Sequence, residues 1–108
     1  MIKLYRAISL EEKADLDIDH KFRTSERSLE VKQFFKSREA VVSFVAYSVL
    51  QGYIPLNDFL LTINVNEDLL KLANPEDMVL DGFEAVSVKE QDLESFNISV
   101  IFIQSEQI

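Results

Sequence analysis

The chain has no cysteine and no tryptophan, and only two glycines, two prolines and one histidine. Each shortage excludes a class of chemistry. Without cysteine there is no disulfide framework, no thiolate nucleophile and no thiolate-bound zinc. With His20 as the sole imidazole, a metal centre would rest on carboxylates alone. The acids of "NEDLLKLANPEDMVLDG" lack the EF-hand spacing, so they read as solvated surface and no metal site is expected. Gly52 and Gly82 are the only glycines, so there is no glycine-rich phosphate loop. No apolar run approaches the length of a membrane span. Lys3 interrupts the opening apolar stretch, unlike a secretory signal. The expectation is a cytoplasmic protein with no membrane partner.

What the chain does contain suits a single domain over 1–108, with 47% apolar residues and eight phenylalanines to fill one core. Its formal charge of −8 repels duplex nucleic acid and anionic lipid.

Hydrophobic periodicity sets the element order. "IKLYRAI" (2–8) alternates as a strand, with Arg6 a lone cation on the face of Ile2, Leu4 and Ile8. Ser9 and Glu12 have the spacing of a capping box, which predicts a short helix over about 10–16. Residues 15–27 read as a loop with a short extended piece at Phe22. "EVKQFFKS" (30–37) reads as a strand, and Ser37 as the N-cap of a helix over 38–51, stopped by Gly52. That helix is apolar almost all round, which places it against a sheet.

"NDFLLTINV" (57–65) is a strand, and Asn66 caps a brief helix over "EDLLKLA". Asp81-Gly82 joins a hairpin within 78–88. "EQDLESF" is a short helix or turn. "ISVIFI" (98–103) is so apolar that it reads as a central strand. The pattern predicts an α+β fold with a mainly antiparallel sheet and two main helices in the N-terminal half.

Charge is polarised along the chain. Residues 21–38 hold Lys21, Arg23, Arg27, Lys32, Lys36 and Arg38 against Glu26 and Glu30. From Asp58 onward two lysines face eleven acids. Two readings stand. The halves attract each other across the fold, or the cations at the strand end and helix start at Ser37 form a small anion site. Arg6 likewise either pairs with a carboxylate of the acidic half or joins that site. Phe34, Phe35 and Tyr5 read as packing, and His20 as a solvated loop residue.

Tyr5-Arg6, Phe22-Arg23, Ser28-x-Glu30-x-Lys32-x-Phe34 and Ser37 before a helix carry a resemblance. Together with the late "LDGFEAVSVKEQDLESF", they make the chain resemble the small ADP-ribosyltransferase-like domains of phage and bacterial toxin-associated proteins. The resemblance implies a split sheet with a cleft for nicotinamide adenine dinucleotide (NAD). It assigns Arg6 to the phosphates or ribose and Ser37 to the cleft wall, and it matches Arg23 and Lys32 to family positions around the cofactor.

The family's cleft glutamate stabilises the sugar cation as the nicotinamide bond breaks. Aligning Val79-Leu80 with that signature puts Met78 at the glutamate position, with Glu76 two residues before it and Glu84 past the turn as substitutes. Three functions follow. The first is a degenerate ADP-ribosyltransferase-like domain acting as a binding or interaction protein. The second is an active NAD-dependent transferase. The third is an acidic immunity or inhibitor protein that docks on a basic partner.

Overall fold

In β1 (Ile2–Ile8) side chains alternate between two sheet faces, and both faces find a core. The computed structural model describes residues 2–22, 31–52, 59–80 and 82–107. The described elements run β1, α1 (Leu10–Asp19), β2 (Val31–Phe35), α2 (Arg38–Gln51), β3 (Phe59–Val65) and α3 (Glu67–Leu70) with a 3-10 turn (Lys71–Ala73). They continue with β4 (Glu76–Leu80), β5 (Phe83–Lys89), a second 3-10 turn (Glu90–Asp92), α4 (Leu93–Ser99) and β6 (Val100–Gln107). The six strands form one antiparallel sheet in the order β4-β5-β2-β1-β3-β6. The α+β, antiparallel expectation holds, and α1 and α2 are the two longest helices.

The larger core lies on the face that bears Leu4, Ile8, Phe34, Ile63 and Val88, under Leu16 of α1, Leu70 of α3 and Phe96 of α4. Phe22, Phe34 and Phe96 form its aromatic centre: Phe34 stacks on Phe96 at 4.7 Å, and Phe22 meets both rings edge-on. The smaller core lies on the opposite face, where Ala40 and Val41 of α2 pack on Phe35, Leu60 and Ala85, with Tyr5 at its margin. The Phe34 and Phe35 rings thus serve packing, one on each face.

Local rules explain the helix ends. Ser37 Oγ accepts from Ala40 N–H, and Asn66 Oδ1 accepts from Leu69 N–H, as N-caps do. Gly52 closes α2 at φ 69°, a left-handed conformation that suits glycine.

Three expectations are corrected. Helix α1 runs three residues beyond 16, because Leu16 is a buried anchor and Lys13 pairs with Asp17 one turn on. His20 ends it in the left-handed region at φ 56° rather than lying in a long loop. The final apolar run is not a central strand. Ile98 and Ser99 belong to α4, where Ser99 Oγ donates to Phe96 O at 2.6 Å. The strand starts only at Val100 and, among the described strands, pairs with β3 alone and lies at the edge of the sheet. Apolar composition suggested burial on two faces, but Ile101 and Phe102 are 59% and 56% exposed.

Candidate functional site

Strand β1 matches β3 along all seven residues, but it meets β2 at one register position, Tyr5 with Phe35. Arg6 stands at this thin seam. Its Nη1 donates to Gln33 O at 2.9 Å, so a guanidinium takes a backbone carbonyl of the neighbouring strand. Its Nε and Nη2 donate to the two carboxylate oxygens of Glu12 at 2.8 and 3.0 Å, a fork-to-fork pair. The guanidinium carbon also lies 5.7 Å from the Phe34 ring centre.

Glu12 is supplied by the first turn of α1, which Ser9 caps by accepting from Glu12 N–H at 3.3 Å. The sequence reading gave the Glu12 carboxylate to a capping box; the structure gives it to Arg6. Lys32 joins from β2, with Nζ 3.6 Å from Glu12 Oε1. Arg6, Glu12 and Lys32 thus form a triad with one anion between two cations, and the side chains are 20%, 23% and 8% exposed.

Titration follows from this arrangement. Burial alone would raise the Glu12 carboxyl, but hydrogen bonding and charge from Arg6, then Lys32, outweigh it and hold it below its ordinary value. Burial and the like charge of Arg6 push the Lys32 ammonium down, against the pull of Glu12 and Asp15. Arg6 therefore has its carboxylate, though from α1 and not from the acidic second half.

The cavity beside the seam is small. Arg6, Ala7, Gln33, Phe35, Phe44 and Leu80 enclose about 170 Å³. Sites for drug-sized ligands and cofactors occupy about 300–1,000 Å³. A wider hollow of about 740 Å³ lies between the end of α1 and α4, but Asp19, Glu90 and Glu94 line it against Lys21. Such a wall repels phosphate.

The other predicted site residues do not converge on Arg6. Ser37 is spent as the α2 cap, two residues beyond the Phe35 register point. Glu76 lies at the exposed start of β4, alternates with Met78 onto the opposite face from Arg6, and pairs with Lys89. Glu84 is exposed on β5, across β2 from Arg6 and one pleat beyond the Phe34–Val86 pair. Arg23 lies outside the described residues.

Met78, at the aligned glutamate position, packs against the smaller core and receives Gln33 Nε2 at 3.8 Å. Sequence reasoning missed Glu12, because a capping-box glutamate already has an explanation. It also missed Asn97, whose amide bonds both Phe22 N–H (2.7 Å) and Phe22 O (2.8 Å). No short-range signal links positions 75 residues apart.

Comparison of this chain with protein-family models, curated proteins and solved structures finds no match.

Proposed function

We propose that the domain is a degenerate ADP-ribosyltransferase-like fold that acts as an interaction protein for a basic partner, and that it does not turn over NAD. The observation that carries this reading is the state of Arg6. Two of its nitrogens are engaged by Glu12 and the third by Gln33 O, beside a cavity of about 170 Å³. A dinucleotide would have to displace Glu12 from the guanidinium and open the seam. The relation to the fold is supported by three strands on each side of the β1–β2 seam and an arginine at that seam. Met78, where the resemblance expects the glutamate, offers no negative charge to a sugar cation. The partner's chemistry follows from a net charge of −8, which steers a basic protein toward the chain.

Thermal melting with NAD, together with nicotinamide release over hours, tests the catalytic part. The reading expects no release and no rise in melting temperature at millimolar NAD. Nicotinamide release that is lost in Glu84→Gln would overturn it, as would stabilisation by NAD that is lost in Arg6→Lys. For the docking part, association with a lysine-rich probe peptide should weaken about tenfold or more from about 50 to about 300 mM salt. Association that salt does not change would remove the acidic surface from this role.

A further inference from the structure

Helix α2 carries no charge from Ala40 to Gln51, in a chain that is 28% charged. One side of it covers the smaller core through Ala40, Val41 and the half-buried Phe44 and Val45. The other side is apolar and exposed. At about 100° per residue, Ala46 sits in the middle of the exposed arc. Val42 and Val49 flank it on one side, and Ser43, Tyr47 and Leu50 on the other. Val42, Tyr47, Val49 and Leu50 are 43%, 48%, 60% and 82% exposed. Taking about 150–250 Å² for a whole side chain, this is on the order of 400 Å² of contiguous apolar surface. Patches of that size mark interaction sites.

We propose that the outer face of α2 is the interface of a homodimer, packed antiparallel on α2 of a second copy with the two-fold axis at Ala46. An isologous contact needs a face that matches itself under that rotation. This face does. The small Ala46 meets its own copy on the axis, where the helices approach most closely. Val42, one turn before it, meets Leu50, one turn after it in the second copy. Ser43 and Val49, three residues either side of Ala46, meet in the same way.

Area and charge favour this occupant over others. With Ser43, Ala46 and the rim counted, two copies bury on the order of 1,000 Å², the lower bound of a specific interface and enough for a weak dimer. A basic partner would bury its ammonium groups against a face with no carboxylate from Ala40 to Gln51. Anionic lipid is repelled by a net charge of −8. For a second copy, the nearest acid is Glu39 in the first turn of α2. Antiparallel pairing holds the two Glu39 residues about 21 Å apart along the helix axis, beyond two Debye lengths at physiological salt. Parallel pairing would set them side by side. Each helix N-terminus also meets the other copy's C-terminal turn, which carries no cation of its own. The contact uses no acidic side chain, so it stands apart from docking on a basic partner.

Sedimentation equilibrium from about 10 µM to about 1 mM tests this. The mass should rise with concentration toward twice 12.4 kDa. Salt at about 500 mM should leave the dimer as tight or tighter, unlike charge-steered docking. Ala46→Glu sets two carboxylates together on the axis and should weaken the dimer about tenfold or more, with an unchanged melting curve at low concentration. Val42→Lys and Leu50→Glu should each weaken it alone. Mixed, they should form a heterodimer in which ammonium meets carboxylate. Val79→Lys on β4 and Phe102→Lys on β6 also change exposed apolar residues and should leave the mass unchanged. A monomer at the top concentration overturns the proposal and leaves the face to another chain. So does a dimer that survives Ala46→Glu, dissociates in salt or is lost in either control. No recovery in the mixture overturns it as well.

Discussion

Removing Arg6 tests whether this arginine holds the fold together or is kept for a ligand. Arg6→Met keeps most of the buried stem and deletes three hydrogen bonds, of 2.8, 2.9 and 3.0 Å. Gln33 O then loses its donor, and among the described residues Glu12 retains only Lys32 at 3.6 Å. Hydrogen bonds to charged groups contribute about 1.5–3 kcal/mol each, and a stranded buried charge costs more. Both side chains are about one-fifth exposed, so water recovers part of the loss. We expect a cost of about 3 kcal/mol for Arg6→Met and about 2 kcal/mol for Glu12→Gln, which leaves two cations without their anion. The double variant should cost about 3 kcal/mol, because neither partner remains to be stranded. In a domain of this size that corresponds to a fall of roughly 10–20 °C in melting temperature. Urea unfolding followed by far-ultraviolet circular dichroism measures all three. If Arg6→Met costs under about 0.5 kcal/mol, or the two changes add within about 0.5 kcal/mol, the triad is not a structural unit. Arg6 would then be free for a ligand.

The folded-state value of Glu12 lies below its ordinary 4.5, so its contribution to stability is complete above that value and is lost as pH falls through the folded value. The stability difference between wild type and Glu12→Gln should therefore shrink on acidification below about pH 4.5, read by urea titration; a constant difference would refute it. Lys32 shows linkage of the same sign at the other end of the pH scale. Its folded value lies below 10.5, so the unfolded chain binds more protons in the alkaline range and Lys32→Met should flatten the rise of stability there. Ser37→Ala removes the α2 cap and should cost about 1 kcal/mol in denaturant unfolding, with no loss if the hydroxyl is idle. Asn97→Ala strands the N–H and C=O of buried Phe22 and should cost about 2 kcal/mol; Asn97→Asp keeps the acceptor and should cost less, an order that unfolding midpoints will check.

Elements governed by local rules were legible in the sequence. Ser37, Asn66 and Gly52 bound their helices as capping chemistry demands, and the alternation of β1 and β3 set the two faces. What depends on distant neighbours was not. The run "ISVIFI" carries no mark of which strand will pair with it, so its place at the sheet edge could not be read. Its first two residues follow helix geometry because Asn66 N–H reaches Ser99 O, a bond from another element. At the site, Arg6 was legible as a cation on an apolar face. Its partner was not, since Glu12 satisfied a local rule that the folded chain puts to a different use.

The basic stretch that begins the second strand shows why charge density in sequence differs from charge density in space. Lys32, Lys36 and Arg38 lie within seven residues, yet each leads to a different element. Lys32 turns to α1 through Glu12, Lys36 reaches Asp77 on β4, and Arg38 reaches Glu106 on β6. These cations leave the middle of the sheet and tie one helix and both sheet edges to it. Lys36 and Arg38 are exposed, so their pairs are worth at most about 1 kcal/mol and fade with salt. Lys32 and Glu12 are largely shielded, so salt should screen that contact far less. A phosphate site needs cations that converge and still have donors to spend. Among the described residues of this stretch they diverge, and each already has a carboxylate. The attraction between the basic stretch and the acidic second half is therefore real for two of the three, while the most buried one serves the Arg6 seam.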